Sequence, residues 1–234
     1  MNSTLNDTPN STINNIINHT MNITMNTMLN TIALEGTINE FTLKKINNQD
    51  NIGNTILHNA FLYKNVASII VLLKYDMDIN IQNLDGNTVL HLALFNFNLA
   101  IKNCDKKAFI YIDILKRLIN KKGNMYIKNE LNITPSDVVQ FGINIQDNEG
   151  NTLLHTLIKR GKIEKSNFLI DFLNVNLNIK NMHGNTVLHE ACIVVLKNYD
   201  NIDFFYLLFN LIKKGAKEDI KNKDGLLPSD YFLK

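Results

Sequence analysis

The sequence predicts an all-α fold built from stacked helix-turn-helix units with hairpin loops between them. A six-residue phrase, Gly-Asn-Thr followed by two aliphatic residues and His, occurs four times, beginning at Gly53, Gly86, Gly150 and Gly184. The first two copies start 33 residues apart and the last two start 34 residues apart. A step of this size is typical of repeat proteins in which each repeat is one supersecondary motif.

Two weaker copies of the phrase fill the gaps, and both carry Pro-Ser-Asp. One begins at Thr134, shortly after Asn132, which stands where the glycine would be, and the other begins at Gly225. Corresponding positions in the two halves of the chain are 93 to 98 residues apart. We therefore predict that the chain is internally duplicated.

The phrase itself contains the chemistry of a turn followed by a helix start. Gly86 supplies a positive φ, Thr88 is placed to cap the helix, and His91 follows at the third helical position. The aliphatic pair between Thr and His is expected to point into the core. Because every copy places its histidine identically, the pattern favours capping over a shared catalytic or metal site. We expect no catalytic residue, metal or cofactor.

The organisation along the chain follows from these phrases. Residues 1–27, rich in Asn and Thr, are expected to form a disordered tail, and 28–234 to form the repeat domain. The repeats are predicted near 28–50, 51–83, 84–129, 130–147, 148–181, 182–222 and 223–234. Residues 97–109 and 195–202 are insertions that we expect to enlarge loops.

Composition limits the class of protein. The formal net charge is +2, and the 24 basic and 22 acidic residues are interspersed, which disfavours a nucleic acid partner. Cys104 and Cys192 are far apart and lack a metal-binding or disulfide pattern, which fits a reducing compartment. No apolar run approaches membrane-spanning length. We expect an intracellular, cytoplasmic protein without a membrane anchor.

The repeated phrase resembles the Thr-Pro-Leu-His-x-Ala phrase of ankyrin repeats, with the proline replaced by an aliphatic residue in four copies and retained at Pro135. The resemblance covers about residues 30–234 and implies a solenoid whose concave face binds a protein partner without catalysis. It also implies a turn between two helices at Lys64 and at Phe97, where the family usually has a glycine. We expect a monomer. The bias towards Asn, Ile and Lys is similar to that of AT-rich genomes of large DNA viruses and intracellular bacteria. Their ankyrin proteins suggest a host-directed role, with the host cytoplasm as a location.

The same resemblance implies which residues contact the partner. They would lie at hairpin tips or on exposed positions of inner helices. The tip residues are Leu84, Asp85, Glu149, Met182 and His183, and the inner-helix residues are Tyr63, Phe95 and Arg160. Aromatic and arginine side chains are enriched among interface hot spots, so the inner-helix set supplies the expected anchors.

Two alternatives remain open from the sequence alone. In the first alternative, the array is a substrate-recognition adaptor for a ubiquitin ligase. The nine residues after Gly225 leave no room for an F-box-like segment in this sequence. The other alternative is an enzyme with a reactive thiol at Cys104, flanked by Asp105, Lys106 and Lys107. Nearby lysines favour a thiolate, but the sequence identifies no base for it.

Overall fold

A computed structural model of the chain describes residues 23–233. The chain divides after Leu92 into two compact units, of which 23–92 and 93–233 are described. Within these ranges the regular elements are α-helices and one 3-10 helix, and no strand occurs. The predicted all-α class is confirmed.

The helices follow one another in pairs, with one exception. In the first unit they are α1 (23–35), α2 (Glu40–Lys44), α3 (Ile56–Leu62) and α4 (Val66–Leu72). The division between the units falls inside α5 (Val89–Lys102). In the second unit α5 is followed by α6 (Lys107–Asn120), α7 (Pro135–Gln140), α8 (Leu153–Lys159), α9 (Ile163–Phe172), α10 (Val187–Lys197), α11 (Ile202–Lys213) and the 3-10 helix Pro228–Leu233.

Helix α1 includes residues 23–27, which the sequence predicted to lie in the disordered tail. The helix is anchored by Leu29 and Ile32, which are buried. The Ser68 hydroxyl of α4 donates a hydrogen bond to the Leu29 carbonyl, which ties the helix to its neighbour. These tertiary contacts offset the weak helix propensity of Asn and Thr. The rest of the expected tail, 1–22, lies outside the described residues.

Each hairpin is fixed by one Asp or Asn side chain placed three residues before the glycine. Its oxygen accepts hydrogen bonds from the backbone N–H groups two and four residues further along, which closes the loop locally. The residues that do this are Asp50, Asn83, Asn129, Asp147, Asn181 and Asn222. In the weaker copy Asn132 adopts a φ of 59°, so it replaces the glycine in the turn as predicted.

The structural role of the repeated histidines is also confirmed. Thr152 donates its backbone N–H to His155 Nδ1 at 3.2 Å, so Nε2 carries the proton and donates to the Asn185 carbonyl, also at 3.2 Å. His58 and His189 make the equivalent bonds to the carbonyls of Asn87 and Leu226. Each of these three histidines therefore joins a helix start to the next hairpin. Burial lowers the pKa of all three, which favours the neutral ring that this bonding requires.

The prediction that the insertions enlarge loops was wrong. Helix α5 has 14 residues where α3 has 7, and Phe97, expected at a turn, is fully buried within it. The turn falls instead at Cys104, with a φ of 51°, whereas Lys64 does occupy its predicted turn with a φ of 53°. Helix α10 likewise continues to Lys197. In α5 the buried residues recur at helical spacing, which explains the extension: Ala93, Leu94, Phe97, Ala100 and Ile101.

The repeat that contains α7 has no second helix. Residues 141–144 form turns, and the chain proceeds directly to the hairpin before α8. Helix α6 consequently packs on α9 with no helix between them. Lys165 Nζ of α9 donates to the Phe109 carbonyl at 3.0 Å and pairs with Asp113, and Lys116 of α6 pairs with Glu164.

Candidate functional site

The second unit contains an open groove with an apolar wall. The end of α5, the start of α6, the hairpin before α8 and α8 itself surround a cavity of about 220 Å³. The wall is formed by Ala100, Ile101, Phe109 and Ile145. The first two side chains are buried, whereas Phe109 and Ile145 are partly accessible to a ligand in the groove.

Charged residues form the rim of the groove. Lys102, Lys106, Asp105 and Asp147 lie around the apolar wall, and the groove continues along the hairpin tip to Glu149 and Lys159. Lys159 Nζ and Glu149 Oε2 are 3.7 Å apart, and both side chains are exposed. Because this pair is solvated, it contributes little to stability. An apolar centre with a charged rim is typical of a protein-binding surface.

Arg160 is the residue best placed to bind a ligand in this groove. It caps the C-terminus of α8, and its guanidinium carbon lies 5.4 Å from the centre of the Phe109 ring. This cation–π contact holds the guanidinium against the apolar wall. Within the described residues no carboxylate pairs with Arg160. Its donors therefore remain available for a carboxylate from a partner.

The structure brings two of the predicted contact residues together. Glu149 and Arg160 line the same groove, beside Cys104. Met182 and His183 form the exposed tip of the next hairpin, where the Met182 N–H donates to the Glu149 carbonyl at 2.9 Å. Phe95 is exposed on α5 but is not part of the groove lining.

Three predicted contact residues lie in the first unit. Leu84 and Asp85 form an exposed hairpin tip, and the Leu84 N–H donates to the Ile52 carbonyl of the preceding tip at 3.1 Å. Tyr63 caps the C-terminus of α3 and is 37% exposed. The side chains of both tip residues point to solvent, so they form a candidate surface within the first unit.

The apolar wall of the groove was missed at the sequence level. Phe109 was assigned to an inserted loop, but it lies in the first turn of α6. The helical spacing of Ala108, Ile112 and Leu115, all buried, was the signal that could have placed it on a helix. Ile145 follows α7 in the repeat that has no second helix. The absence of that helix allows Ile145 to lie beside α5 and α6.

The two cysteines differ in environment. Cys104 is exposed at the edge of the groove. Cys192 is buried in α10, and burial raises the pKa of its thiol to about 12. Within residues 23–233 no cluster of three or more His, Cys, Asp or Glu side chains is arranged to hold a metal ion. The described helices also include none with the length and hydropathy needed to cross a bilayer.

Comparison with known proteins gives a family match for part of the chain. Residues 39–93 match the family model described as ankyrin repeats in many copies. No curated protein matches the chain. Among solved structures, the chain is similar to the ankyrin repeat protein EF0377, with 20% identity over 88% of this chain and 90% of that one, at a TM-score of 0.40. It is also similar to an ankyrin repeat domain from Acinetobacter baumannii AYE, with 22% identity over 80% and 78% of the two chains, at a TM-score of 0.37.

Proposed function

We propose that this chain, whose residues 39–93 match an ankyrin-repeat family model, is a non-catalytic module that binds a protein partner through the groove of its second unit. Ankyrin repeats are in general protein-interaction modules. The observation that supports this site most strongly is the position of Arg160, an exposed arginine held against Phe109 without a carboxylate partner among the described residues. The hairpin tips at Glu149 and at Met182 and His183 extend the surface.

The chemistry of the groove defines the partner segment that fits it. The guanidinium of Arg160 presents a planar set of donors that matches a carboxylate, while Ile101 and Phe109 provide an apolar surface next to it. We infer that the partner inserts an aliphatic or aromatic side chain close to an Asp, Glu or C-terminal carboxylate. A nucleic acid is disfavoured, because Asp105, Asp147 and Glu149 share the same rim.

We further propose that the protein acts inside cells, with a host protein as the target. The adaptor role for a ubiquitin ligase is the alternative within the same binding class. Because both roles use the groove, only the identity of the captured proteins distinguishes them. A target protein alone favours the host-directed role, whereas target and ligase subunits captured together favour the adaptor.

The experiment uses the full chain as bait in lysate from candidate host cells, followed by mass spectrometry. The chain contains only two arginines, Arg117 and Arg160, and both are exposed. Arg117→Ala is therefore a matched control for Arg160→Ala, because it removes the same chemistry from α6 outside the groove. We expect the captured partner to be lost with Arg160→Ala and retained with Arg117→Ala. Equal retention by both variants would contradict binding at the groove.

A further inference from the structure

Helix α11 has an exposed apolar face in addition to its buried one. Phe204, Leu207 and Leu211 are buried against the rest of the second unit. The opposite side of the helix carries five more apolar residues that are exposed to solvent: Ile202, Phe205, Tyr206, Phe209 and Ile212. With 3.6 residues per turn, these five positions lie within one arc of about 120° along the full length of the helix.

Helices α6 and α9, which pack beside each other in the second unit, do not show this pattern. The exposed side of α6 carries Asp113 and Arg117, and that of α9 carries Glu164 and Asp171. A helix face formed mainly by large apolar side chains is normally buried against another surface. Exposed side chains such as Tyr206 and Phe209, at 62% and 64%, therefore indicate a surface that is covered by another molecule.

We propose that a second copy of this chain covers this face, with the two α11 helices packed antiparallel about a two-fold axis. Such an arrangement buries the same five side chains on both copies, as an isologous interface requires. In this register the start of one helix lies beside the end of its partner. This replaces the monomer expected from the sequence, and it concerns a surface separate from the groove.

The charges at the two ends of the helix support a second copy in this orientation. Asp200 and Asp203 lie at the start of α11, and Lys213 lies at its end, all three exposed. None of the three has an ion-pair partner within residues 23–233. Antiparallel packing brings each Lys213 close to the acidic end of the other copy and also aligns the helix dipoles favourably. Parallel packing would place like charges together.

The test measures association of the full chain by sedimentation velocity over a range of concentrations. We expect a reversible dimer with a dissociation constant on the order of 10 to 100 µM, because a single helix face is smaller than a standard interface. Phe209→Asp is expected to weaken association at least about tenfold. Phe141→Asp is the matched control, because Phe141 is also an exposed phenylalanine of the second unit, at 71% exposure, and should leave association unchanged.

A charge exchange tests the orientation. Asp203→Lys and Lys213→Glu are each expected to weaken the dimer, and the double variant is expected to restore it, since antiparallel copies bring these two positions to the same end of the interface. Circular dichroism melting of each variant confirms that these exposed changes leave the fold intact. A monomer at all concentrations would overturn the proposal, as would a dimer that Phe209→Asp does not affect. Failure of the double variant to restore association would overturn the antiparallel arrangement.

Discussion

The guanidinium of Arg160 lies 5.4 Å from the centre of the Phe109 ring, and this contact joins the end of α8 to the start of α6. The two helices belong to different repeats, and the repeat between them contributes only α7. The groove therefore forms where the repeat pattern is broken. Its apolar wall comes from the extended helix α5 and from α6, and its arginine comes from α8.

Gly184→Ala is expected to destabilise the protein by more than about 2 kcal/mol. Gly184 has a φ of 76°, and a Cβ at this position would lie 2.6 Å from the backbone nitrogen of Lys223. That nitrogen donates to the His183 carbonyl at 3.1 Å, so the substitution forces two adjacent hairpin tips apart. Urea denaturation followed by circular dichroism measures the change in the free energy of unfolding.

Gly225→Ala is the matched control for that change. Gly225 has the same φ of 76° at the equivalent hairpin position, but a Cβ added there would meet no atom within 4 Å. Its substitution should cost only the conformational penalty of about 1 kcal/mol. Equal losses in the two variants would show that the contact between hairpin tips does not contribute to stability.

The protein is expected to lose stability as the pH falls below about 6.5. Burial lowers the pKa of His58, His155 and His189 in the folded state, whereas the unfolded chain titrates near the ordinary value of 6.5. The unfolded state therefore binds protons first as the pH falls. The stabilisation is complete above the unfolded pKa and is lost progressively towards the lower folded pKa. Thermal melting at about pH 7.5 and about pH 5.5 measures the effect.

Two substitutions identify the source of this pH dependence. His155→Gln removes one buried titrating ring and should reduce the difference in melting temperature between the two pH values. His183→Gln changes an exposed hairpin-tip ring and should leave that difference unaltered. If both variants retained the full pH dependence of the wild type, the buried histidine at 155 would not contribute to it.

Alkylation is expected to distinguish the two cysteines. Iodoacetamide at neutral pH should modify Cys104, which is exposed, and leave Cys192 unmodified until the protein is denatured, because Cys192 is buried and its pKa is raised to about 12. Intact-mass spectrometry counts the adducts, and Cys104→Ser should take up none in the folded state. Modification of Cys192 in the native protein would contradict this arrangement.

The rate of the same reaction tests the enzyme alternative. A rate close to that of free cysteine identifies Cys104 as an ordinary surface thiol at the edge of the groove. An unreactive Cys104 would eliminate the proposed catalytic thiol. A rate at least about tenfold above that of free cysteine would instead support an activated nucleophile.

Much of the fold could be predicted because its determinants are local. The phrase from Gly150 to His155 contains the turn, the cap and the first helical residues, so its spacing placed the start of α8 correctly. The ends of helices were harder to predict, because they depend on tertiary contacts. Phe97 lies among asparagines and was expected at a turn, but its burial keeps α5 helical.

The groove could be predicted only in part. Glu149 and Arg160 were identified from their positions in the repeat, and both line it. Phe109 and Ile145 were not, since their proximity depends on how α6 and α8 approach each other across a repeat with one helix. A periodic pattern identifies what each repeat has in common, whereas this site is formed by the irregular repeat.

The most direct test of the proposed function is the affinity of the captured partner for the purified full chain and its two arginine variants, measured by isothermal titration calorimetry. Binding through the groove predicts that Arg160→Ala weakens the affinity by at least about 30-fold, which corresponds to a hot-spot loss of about 2 kcal/mol. Arg117→Ala should bind like the wild type. An unchanged affinity for Arg160→Ala, or an equal loss for both variants, would contradict the groove as the binding site.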